Sequence, residues 1–300
     1  MISICIPTKN RDSLLKDTID SIVNSSVDSN LYQIVISDNS DNELTYILSE
    51  KYIEKGYNIK YYKNEVSGFY NSIKSLLIAD GDFLKLHNDY TTFSPGMFEK
   101  FCEVIRINSK DKPIIFFSNG ELKLKSNIIT LENIDGFIEK TSFYNTWSSA
   151  FSIWKEQLDI LDIEPSALDA MFPHTSLLFQ HDFNAYLVDD NIYFRNNTVN
   201  KKGGYNIFYN FCILYLGMVK TLLDNKKISH RSYLYLKLNM LRRFVAPWYY
   251  QTIYIENEFT FDNTSAKSNI ISAYGNVGYL FVRCFCMAKK ILCKGAYNES

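Results

Sequence analysis

The chain has 300 residues, which allows one large domain or one domain with an appended segment, and leaves ample length to bury a hydrophobic core. Its formal net charge is −1, so no overall field recruits nucleic acid, and nucleic-acid binding is not expected. Aromatic residues make up 15% of the chain, more than a core needs, and the excess lies mainly in the last hundred residues, where it could face a ligand, a partner or a membrane surface.

The cysteines and the N-terminus bear on the cellular compartment. The six cysteines include no Cys-x-x-Cys pair, and no Cys/His spacing resembles a zinc site. The first residues enter a strand directly, without the basic segment of a signal peptide, and no uncharged run reaches the length of a spanning helix. The sequence therefore predicts a protein of the reducing cytoplasm.

Apolar strands and amphipathic helices alternate through the first 120 residues. Strands are predicted at 2–6, 33–37, 59–62, 83–86 and 114–117. Asp12 or Ser13 is predicted to cap the first helix, a second helix is predicted to begin at about Ser67, and a third at Ser94-Pro95, where proline would occupy the first helical position. This alternation predicts an α/β fold with a mostly parallel sheet and helices on both faces.

The pattern changes in the rest of the chain. Residues 122–151 favour short strands and turns, and from Tyr205 onward the pattern is helical. The segment from Lys201 to Gly204 (Lys-Lys-Gly-Gly) is the best candidate for a boundary. We therefore predict a catalytic α/β domain of residues 1–200 and a C-terminal helical region of residues 201–300.

Polar residues follow the first two predicted strands. The loop containing Pro7, Thr8, Asn10 and Arg11 offers backbone amides, a side-chain amide and a guanidinium, which suit a base and a phosphate. Asp38 ends the second strand, where a carboxylate can accept a hydrogen bond from a pyrimidine N–H or a ribose hydroxyl. An ordinary loop and a turn cap are the alternatives. Because ligands gather at the carboxyl ends of parallel strands, the two segments together favour a nucleotide site.

The sharpest polar cluster, His87-Asn88-Asp89, follows the fourth predicted strand. Asp89 supplies a hard oxygen ligand, and His87 could supply a nitrogen. Such a pair suits Mn²⁺ or Mg²⁺ bridging a diphosphate, which neutralises charge on a leaving group. The alternative is a solvated loop. The cluster favours chemistry on a diphosphate.

Two residues compete for the role of general base. His174 is predicted to open a short apolar helix, and a histidine there could act near neutral pH. A packed or capping histidine is the alternative. Asp169, five residues earlier, is the other candidate, and the pattern does not decide between them.

The C-terminal segment 277–294 mixes apolar and basic residues. It could lie on an anionic bilayer surface. A docked helix that also makes a homo-oligomer contact is the alternative, and both remain open. The absence of P-loop, Gly-x-Gly-x-x-Gly and Gly-x-Ser-x-Gly motifs removes the main support for a kinase, a dinucleotide oxidoreductase or an α/β-hydrolase.

As a set, these motifs resemble the family 2 glycosyltransferases of the GT-A fold. The matching points are Ile4-Cys-Ile-Pro7-Thr-Lys-Asn10-Arg11, Val35-Ile-Ser-Asp38-Asn-Ser, Asn71, Ala79-Asp-Gly81-Asp-Phe and Leu86-His-Asn-Asp89. The resemblance covers residues 1 to about 200. The later Lys202-Gly203-Gly204-Tyr205-Asn206 is similar to bacterial O-antigen and capsule transferases of the abequosyltransferase-like kind.

The resemblance implies inverting transfer of a hexosyl or deoxyhexosyl group from a nucleotide-sugar donor to a saccharide acceptor, possibly polyprenyl-linked, in bacterial surface polysaccharide synthesis. It implies a cytoplasmic enzyme, with a peripheral position at the inner face of the plasma membrane as a further expectation. By position, the nucleotide site would contain Pro7, Thr8, Asn10, Arg11, Asp38, Asn71 and Asn88. The Mn²⁺ or Mg²⁺ site would contain Asp89 and His87, where His87 replaces the first acid of the family's Asp-x-Asp motif and so puts metal affinity or identity in question. The base would lie in residues 164–174, as Asp169 or His174.

Two other classes of protein remain as alternatives. A sugar-phosphate nucleotidyltransferase shares the sheet topology and the metal requirement, but its usual Gly-rich N-terminal loop is missing. A catalytically inactive, nucleotide-sugar-binding partner of another transferase is favoured by His87 in the metal motif and by the absence of a Glu-Asp pair near Asp169.

Overall fold

The computed structural model describes residues 1–66, 68–197, 203–255 and 259–296, with side chains as far as Ile291. Its internal contacts divide the chain into two units, which are Met1–Phe137 with Tyr144–Thr198, and Ile138–Phe143 with Val199–Ser300. The predicted domain boundary at 200–201 and the predicted helix start at Ser67 lie outside the described residues, as do the side chains of Cys293 and Lys294.

The structure contains strands and helices with the following bounds. The strands are β1 (Ile2–Thr8), β2 (Tyr32–Asp38), β3 (Ile59–Lys63), β4 (Phe83–Leu86), β5 (Thr91–Phe93), β6 (Ile114–Phe117), β7 (Ile128–Leu131), β8 (Ser152–Trp154), β9 (Tyr186–Asp189), β10 (Phe194–Asn196), β11 (Gly203–Asn206) and β12 (Thr260–Asp262). The helices are α1 (Asp12–Val23), α2 (Leu44–Ile53), α3 (Asn71–Leu77), α4 (Met97–Ile107), α5 (Ile134–Thr141), α6 (Lys155–Leu158), α7 (Pro173–Gln180), α8 (Ile207–Tyr209), α9 (Leu216–Asp224), α10 (His230–Met240), α11 (Ala246–Tyr249) and α12 (Ala266–Ala296).

The first unit is built on a five-stranded sheet with the order β3-β2-β1-β4-β8. The first four strands are parallel, and β8 runs antiparallel to β4. Strands β2 and β4 are buried along their whole length, as expected for a parallel sheet covered on both faces. The predicted α/β class with a mostly parallel sheet is confirmed.

The pairing in this sheet brings the ends of four strands to one edge. Thr8, the last residue of β1, lies opposite Asp38, the last residue of β2. Asp38 in turn lies opposite Lys63 at the end of β3. The backbone N–H of His87, directly after β4, donates to the carbonyl of Cys5. The polar segments that follow all four strands therefore meet at the carboxyl edge of the sheet.

Smaller sheets complete the first unit. A three-stranded sheet has the order β6-β9-β7, and β5 pairs antiparallel with β10. Much of the core is aromatic, with Phe93 making edge contacts to Phe98, Phe101 and Phe194. Such edge-to-face pairs add to the stabilisation that burial provides.

The second unit is mainly helical among its described residues. A continuous helical stretch runs through α8, the π-helical turn Asn210–Tyr215 and α9, and β11 pairs parallel with β12. Gly275, with φ +70°, interrupts α12, a backbone conformation that glycine adopts without a Cβ clash. By length and composition, Ile207–Asp224 and Ala266–Ile291 could cross a membrane, and half of the first but only 22% of the second is buried.

Several predicted element boundaries were wrong. Helix α1 begins at Asp12, but its N-cap is Arg11 and no side chain caps it. Helix α4 begins at Met97 instead of at Ser94-Pro95. Gly96 precedes it in a left-handed conformation, φ +73°, so the first helical residue lies two positions after Pro95. A helix, α5, lies within the stretch for which only short strands and turns were predicted.

Candidate active site

Asp89 joins two loops at the carboxyl edge of the sheet. Thr8 Oγ1 donates a hydrogen bond to Asp89 Oδ2 at 2.7 Å, and Arg11 Nη1 lies 3.1 Å from Asp89 Oδ1. The carboxylate is buried, whereas the Arg11 side chain is 43% exposed and its guanidinium lies 5.6 Å from the Tyr90 ring centroid. Burial raises the pKa of Asp89, and the Arg11 charge opposes this shift. The structure thus places a half-exposed cation beside a buried acid.

Asp38 is buried at the end of β2 with both oxygens engaged. Oδ2 accepts a hydrogen bond from the Tyr61 hydroxyl at 2.9 Å, and Oδ1 accepts one from the Ser40 backbone N–H at 2.8 Å. Lys63 Nζ lies 3.6 Å from Oδ2. Burial, followed by the bond to Asp38, raises the pKa of Tyr61. These contacts hold the carboxylate rigidly beside Thr8.

Asn10 connects the loops that follow β1 and β2. Its φ of +54° is a left-handed conformation that asparagine adopts more readily than most residues. The Asn10 backbone N–H donates to Ser40 Oγ, its Nδ2 donates to Asp41 Oδ2 at 2.9 Å, and its Oδ1 accepts from the Asp41 N–H at 2.9 Å. Pro7, still within β1, lies opposite Ser37. The structure therefore brings Pro7, Thr8, Asn10, Arg11 and Asp38 to one edge.

Asn71 lies at the start of α3 and is buried against the same edge. Its Oδ1 accepts hydrogen bonds from Ser37 Oγ at 2.7 Å and from Asn64 Nδ2 at 2.8 Å. Its Nδ2 donates to the Ser37 carbonyl. Asn71 therefore connects α3 to Ser37 of β2 and to Asn64, which follows β3.

His87 is held by the aromatic core. Its ring stacks on Phe93, with centroids 5.1 Å apart and planes 5° apart, and meets the Phe194 ring edge-on at 5.4 Å. Nε2 donates to the Thr91 carbonyl at 2.8 Å, and Nδ1 is buried without a partner among the described residues. Burial, with the nearby Lys85 charge, lowers the pKa of His87 to about 3. His87 is thus a neutral, packed side chain.

A His87–Asp89 metal pair does not fit this arrangement. His87 bonds to Thr91 and stacks on Phe93, while Asp89 faces Thr8 and Arg11. In the described part of the chain, no group of three or more His, Cys, Asp or Glu side chains could hold an ion. Mg²⁺ in nucleotide sites is commonly held by one or two carboxylates together with phosphate oxygens and waters, and Asp89 is the carboxylate at this edge beside Arg11.

Asn88 faces a different segment. Its Nδ2 donates to the Tyr90 hydroxyl at 3.1 Å, and its Oδ1 accepts from Ser148 Oγ at 3.4 Å. Ser148 begins a short 3₁₀ turn, Ser148–Ala150, before β8. Asn88 thus connects the loop after β4 to this turn.

Asp169 and His174 are both near the start of α7 but differ in exposure. Asp169 is half-buried, and Oδ1 accepts from the backbone N–H groups of Met171 and Phe172 at 2.8 and 2.9 Å. His174 is buried, with Nε2 2.9 Å from the Thr146 carbonyl. Burial lowers the pKa of His174 to about 4. No described side-chain contact joins either residue to Asp89 or Asp38.

Sequence reasoning missed the residues that fix the geometry of the edge. Tyr61 and Asn64 each bond directly to a predicted site residue, and so does Ser40, which was part of a quoted motif but had no assigned role. Asn64 comes directly after β3, just as Asp38 stands at the end of β2. A search for polar residues at the end of every strand would therefore have found Asn64. Tyr61 gives no such signal, because an aromatic residue within a strand is normally a packing residue.

Lys85 was also missed, because a charge inside a buried strand is rare. The residue is fully buried in β4, and its Nζ donates to the carbonyls of Leu86 and Ser149. It also lies 5.7 and 5.5 Å from the ring centroids of Phe117 and Phe194. Burial lowers its pKa to about 7. Lys85 thus fixes the end of β4 to the turn that contacts Asn88.

Comparison with known proteins gives this arrangement a family. Residues 3–151 match the model of the family described as glycosyl transferase family 2. The chain belongs to glycosyl transferase family 2 and is a transferase, which confirms the resemblance to that family. No curated protein sequence matches the chain.

Solved structures with a similar fold include two crystal structures of Staphylococcus aureus TarS 1–349, each 14% identical over 99% of this chain and 91% of that chain. Their TM-scores are 0.60 for TarS itself and 0.62 for its complex with UDP-GlcNAc. The mannosyltransferase PcManGT from Pyrobaculum calidifontis, in complex with GDP-Man and Mn²⁺, is 11% identical over 97% of this chain and 80% of that chain, with a TM-score of 0.58. At these identities the likeness is one of fold, and it confirms the GT-A fold.

Proposed function

We propose that this transferase moves a sugar from a nucleoside-diphosphate sugar to a hydroxyl group of a saccharide acceptor, with inversion at the anomeric carbon. The observation that carries the proposal is the bonded group of Thr8, Arg11 and Asp89 beside Asp38 at the carboxyl edge of the sheet. Structures of the same fold hold UDP-GlcNAc in one case and GDP-Man with Mn²⁺ in another, which supports a nucleotide-sugar donor.

The nucleoside and the diphosphate are assigned to neighbouring parts of this edge. The nucleoside lies by Asp38, Asn71 and the loop of Pro7 and Asn10, with Asn71 and Asn10 acting mainly through the backbone that they hold. The diphosphate lies by Arg11, whose half-exposed guanidinium can form a charge-assisted, bidentate bond to phosphate oxygens. Phosphate would then replace part of the contact that Arg11 makes with Asp89.

A divalent cation, Mn²⁺ or Mg²⁺, is assigned to the Asp89 carboxylate, with His87 outside its ligands. When bound, such a cation neutralises charge on a departing diphosphate. Asp89 would hold the cation where phosphate oxygens take the place of its contact with Arg11. Asn88, which contacts Tyr90 and Ser148, borders this position through the backbone that it fixes.

Asp169 is the general base of the proposal, and His174 positions the segment before it. Both described hydrogen bonds to the Asp169 carboxylate go to Oδ1, which leaves Oδ2 for the acceptor hydroxyl. His174 is buried, bonds to a backbone carbonyl and has a lowered pKa, all of which make it a poor base near neutral pH.

The transfer is a single displacement. Asp169 takes the proton of the acceptor hydroxyl as its oxygen forms a bond to the anomeric carbon. The bond from that carbon to the diphosphate oxygen breaks on the opposite face, and its electron pair leaves with the nucleoside diphosphate, which Arg11 stabilises. One in-line step inverts the anomeric configuration.

The acceptor of the proposal is a lipid-linked saccharide at the cytoplasmic face of the plasma membrane, in the synthesis of a bacterial surface polysaccharide. Support comes from the second unit, whose helices carry the exposed cations Arg242 and Arg243 and the half-buried Trp248. Aromatic rings of this kind suit both sugar faces and the interface of a bilayer.

The experiment that tests the donor site is a thermal-shift panel of UDP, CDP, GDP and dTDP, each with Mn²⁺ or with EDTA. A ligand at a hundred times its Kd stabilises the folded state by about 2.7 kcal/mol. For a unit of this size that raises the unfolding midpoint by roughly 5–10 °C. We expect one nucleotide to give a shift that depends on Mn²⁺.

Two variants sharpen this experiment. Asp89→Asn should abolish the Mn²⁺-dependent part of the shift, whereas Asp159→Asn, which removes an exposed ion pair with Lys155 in the same unit, should leave it intact. No shift with any nucleotide would contradict the donor site. Nucleotide binding without release of nucleoside diphosphate from any donor would instead support the inactive binding partner.

A further inference from the structure

One face of α12 carries exposed apolar side chains in helical register. We call Val277, Leu280, Phe281, Cys284, Met287 and Ile291 the apolar stripe. Val277 is 81% exposed, Leu280 61% and Ile291 72%, and the other three are also exposed. At 3.6 residues per turn the six positions fall within about 120° of the helix circumference. An exposed apolar surface of this kind normally contacts a membrane, a ligand or another protein.

The opposite face of α12 is occupied by its own unit. Val282 and Cys286 are fully buried, and the Tyr279 hydroxyl lies 3.1 Å from the Tyr249 hydroxyl of α11. Lys289 also lies over the Tyr250 ring, at 5.2 Å from its centroid. A helix that crossed a bilayer would have to give up these contacts. Within the described part of α12, the apolar stripe is therefore the face that an outside surface can contact.

The charged residues of the stripe's own segment have one sign. Between residues 263 and 298 the sequence contains five cationic residues and no acidic residue. Two of the five, Arg283 and Lys290, are exposed and border the stripe along one edge of the helix. The whole segment therefore offers an anionic surface both an apolar face and a row of positive charge.

We infer that the apolar stripe of α12 is a docking surface for an anionic lipid bilayer, on which the helix lies along its length. Its apolar side chains enter the boundary between headgroups and acyl chains, and Arg283 and Lys290 meet the anionic headgroups. A second copy of the chain fits less well, because paired helices place charges of both signs beside the seam, and here cations would face cations. The inference concerns the second unit alone and needs no donor chemistry.

The test is flotation of the full chain with vesicles of phosphatidylcholine, alone or with phosphatidylglycerol. Each cation near an anionic surface strengthens binding about fivefold, so Arg283 and Lys290 together predict roughly 25-fold tighter binding to the anionic vesicles. Replacing both by glutamine should remove that difference. Added salt should weaken binding to the anionic vesicles only.

A triple variant tests the apolar component. Val277→Ser with Leu280→Ser and Ile291→Ser should lower binding to anionic vesicles at least tenfold. The matched control replaces Leu31, Ile107 and Ile160 by serine, since these residues of the first unit are similarly exposed, at 57%, 63% and 63%. The control should bind as the unmodified chain does, and all variants should keep its unfolding midpoint.

Three results would overturn the inference. The first is equal binding to neutral and anionic vesicles. The second is binding by the stripe variant that is as tight as binding by its control. The third is a chain that binds no vesicles, forms a dimer, and becomes a monomer when the stripe residues are replaced. The last result would assign the stripe to a second copy. Loss of nucleotide binding has no bearing on any of them, so this inference and the donor proposal fail separately.

Discussion

Replacing His87 separates a packing role from a metal-ligand role. In the structure the His87 ring is buried, stacked on Phe93 and bonded to the Thr91 carbonyl. His87→Phe keeps the ring stack but loses that bond, at a cost of about 1–3 kcal/mol when the carbonyl is left unsatisfied. It also removes the buried, unpartnered Nδ1, which should stabilise the folded state by a similar free energy. We expect a net change within about 1 kcal/mol.

Two further substitutions at this position set the scale. His87→Ala removes the ring from the stack, and we expect a loss of about 3–5 kcal/mol, as for other buried aromatic side chains. His87→Asp restores the acid of the family motif but buries a carboxylate beside Phe93 and Phe194, so we expect a similar loss of about 3–5 kcal/mol. The unfolding free energy is measured in urea, and nucleotide binding by thermal shift with Mn²⁺.

The packing role predicts that His87→Phe retains the Mn²⁺-dependent nucleotide shift. If His87→Phe were stable yet lost that shift, while His87→Asp were stable and strengthened it, His87 would be a metal ligand. The structural argument for Asp89 as the single protein ligand would then be wrong.

Three other predictions concern the base, the histidine beside it and the phosphate site. Asp169→Asn should lower kcat by at least about a hundredfold while the nucleotide shift is unchanged, and normal turnover would place the base elsewhere. Because burial lowers the folded-state pKa of His174 to about 4, below its unfolded value near 6.5, the unfolded chain takes up this proton first as the pH falls. The contribution of His174 to stability is therefore complete above pH about 6.5 and is lost toward pH about 4, an effect of roughly 3 kcal/mol. The unfolding free energy of His174→Gln should fall less over that interval, and parallel pH profiles would contradict the assignment. Arg11→Ala should weaken nucleoside-diphosphate binding by about 1.5–3 kcal/mol, and Arg11→Lys should have an intermediate affinity. The affinities are measured by calorimetric titration. Equal affinities for the three proteins would show that Arg11 does not bind the phosphates.

The sequence by itself determined the sheet and the edge at which the polar segments meet. Apolar runs alternate with amphipathic helices, and this pattern favours a mostly parallel sheet covered on both faces, although it did not show that β8 is antiparallel or that β6 lies in a second sheet. Since parallel strands end on the same side, the carboxylate of Asp38 and the loop of Thr8 and Arg11 had to become neighbours. The match to residues 3–151 extends over the same part of the chain.

Only the tertiary structure decided what each side chain of the cluster after β4 contacts. His87 and Asp89 are two residues apart, but one enters the aromatic core at Phe93 and the other meets Arg11. Strand β4 is buried on both faces, so its sequence shows no alternation that would identify the face toward the core. The helix start at Met97 was hidden for a related reason, because Gly96 can adopt a left-handed conformation that local propensity does not reveal. Long-range packing, which the local pattern does not record, fixed these orientations.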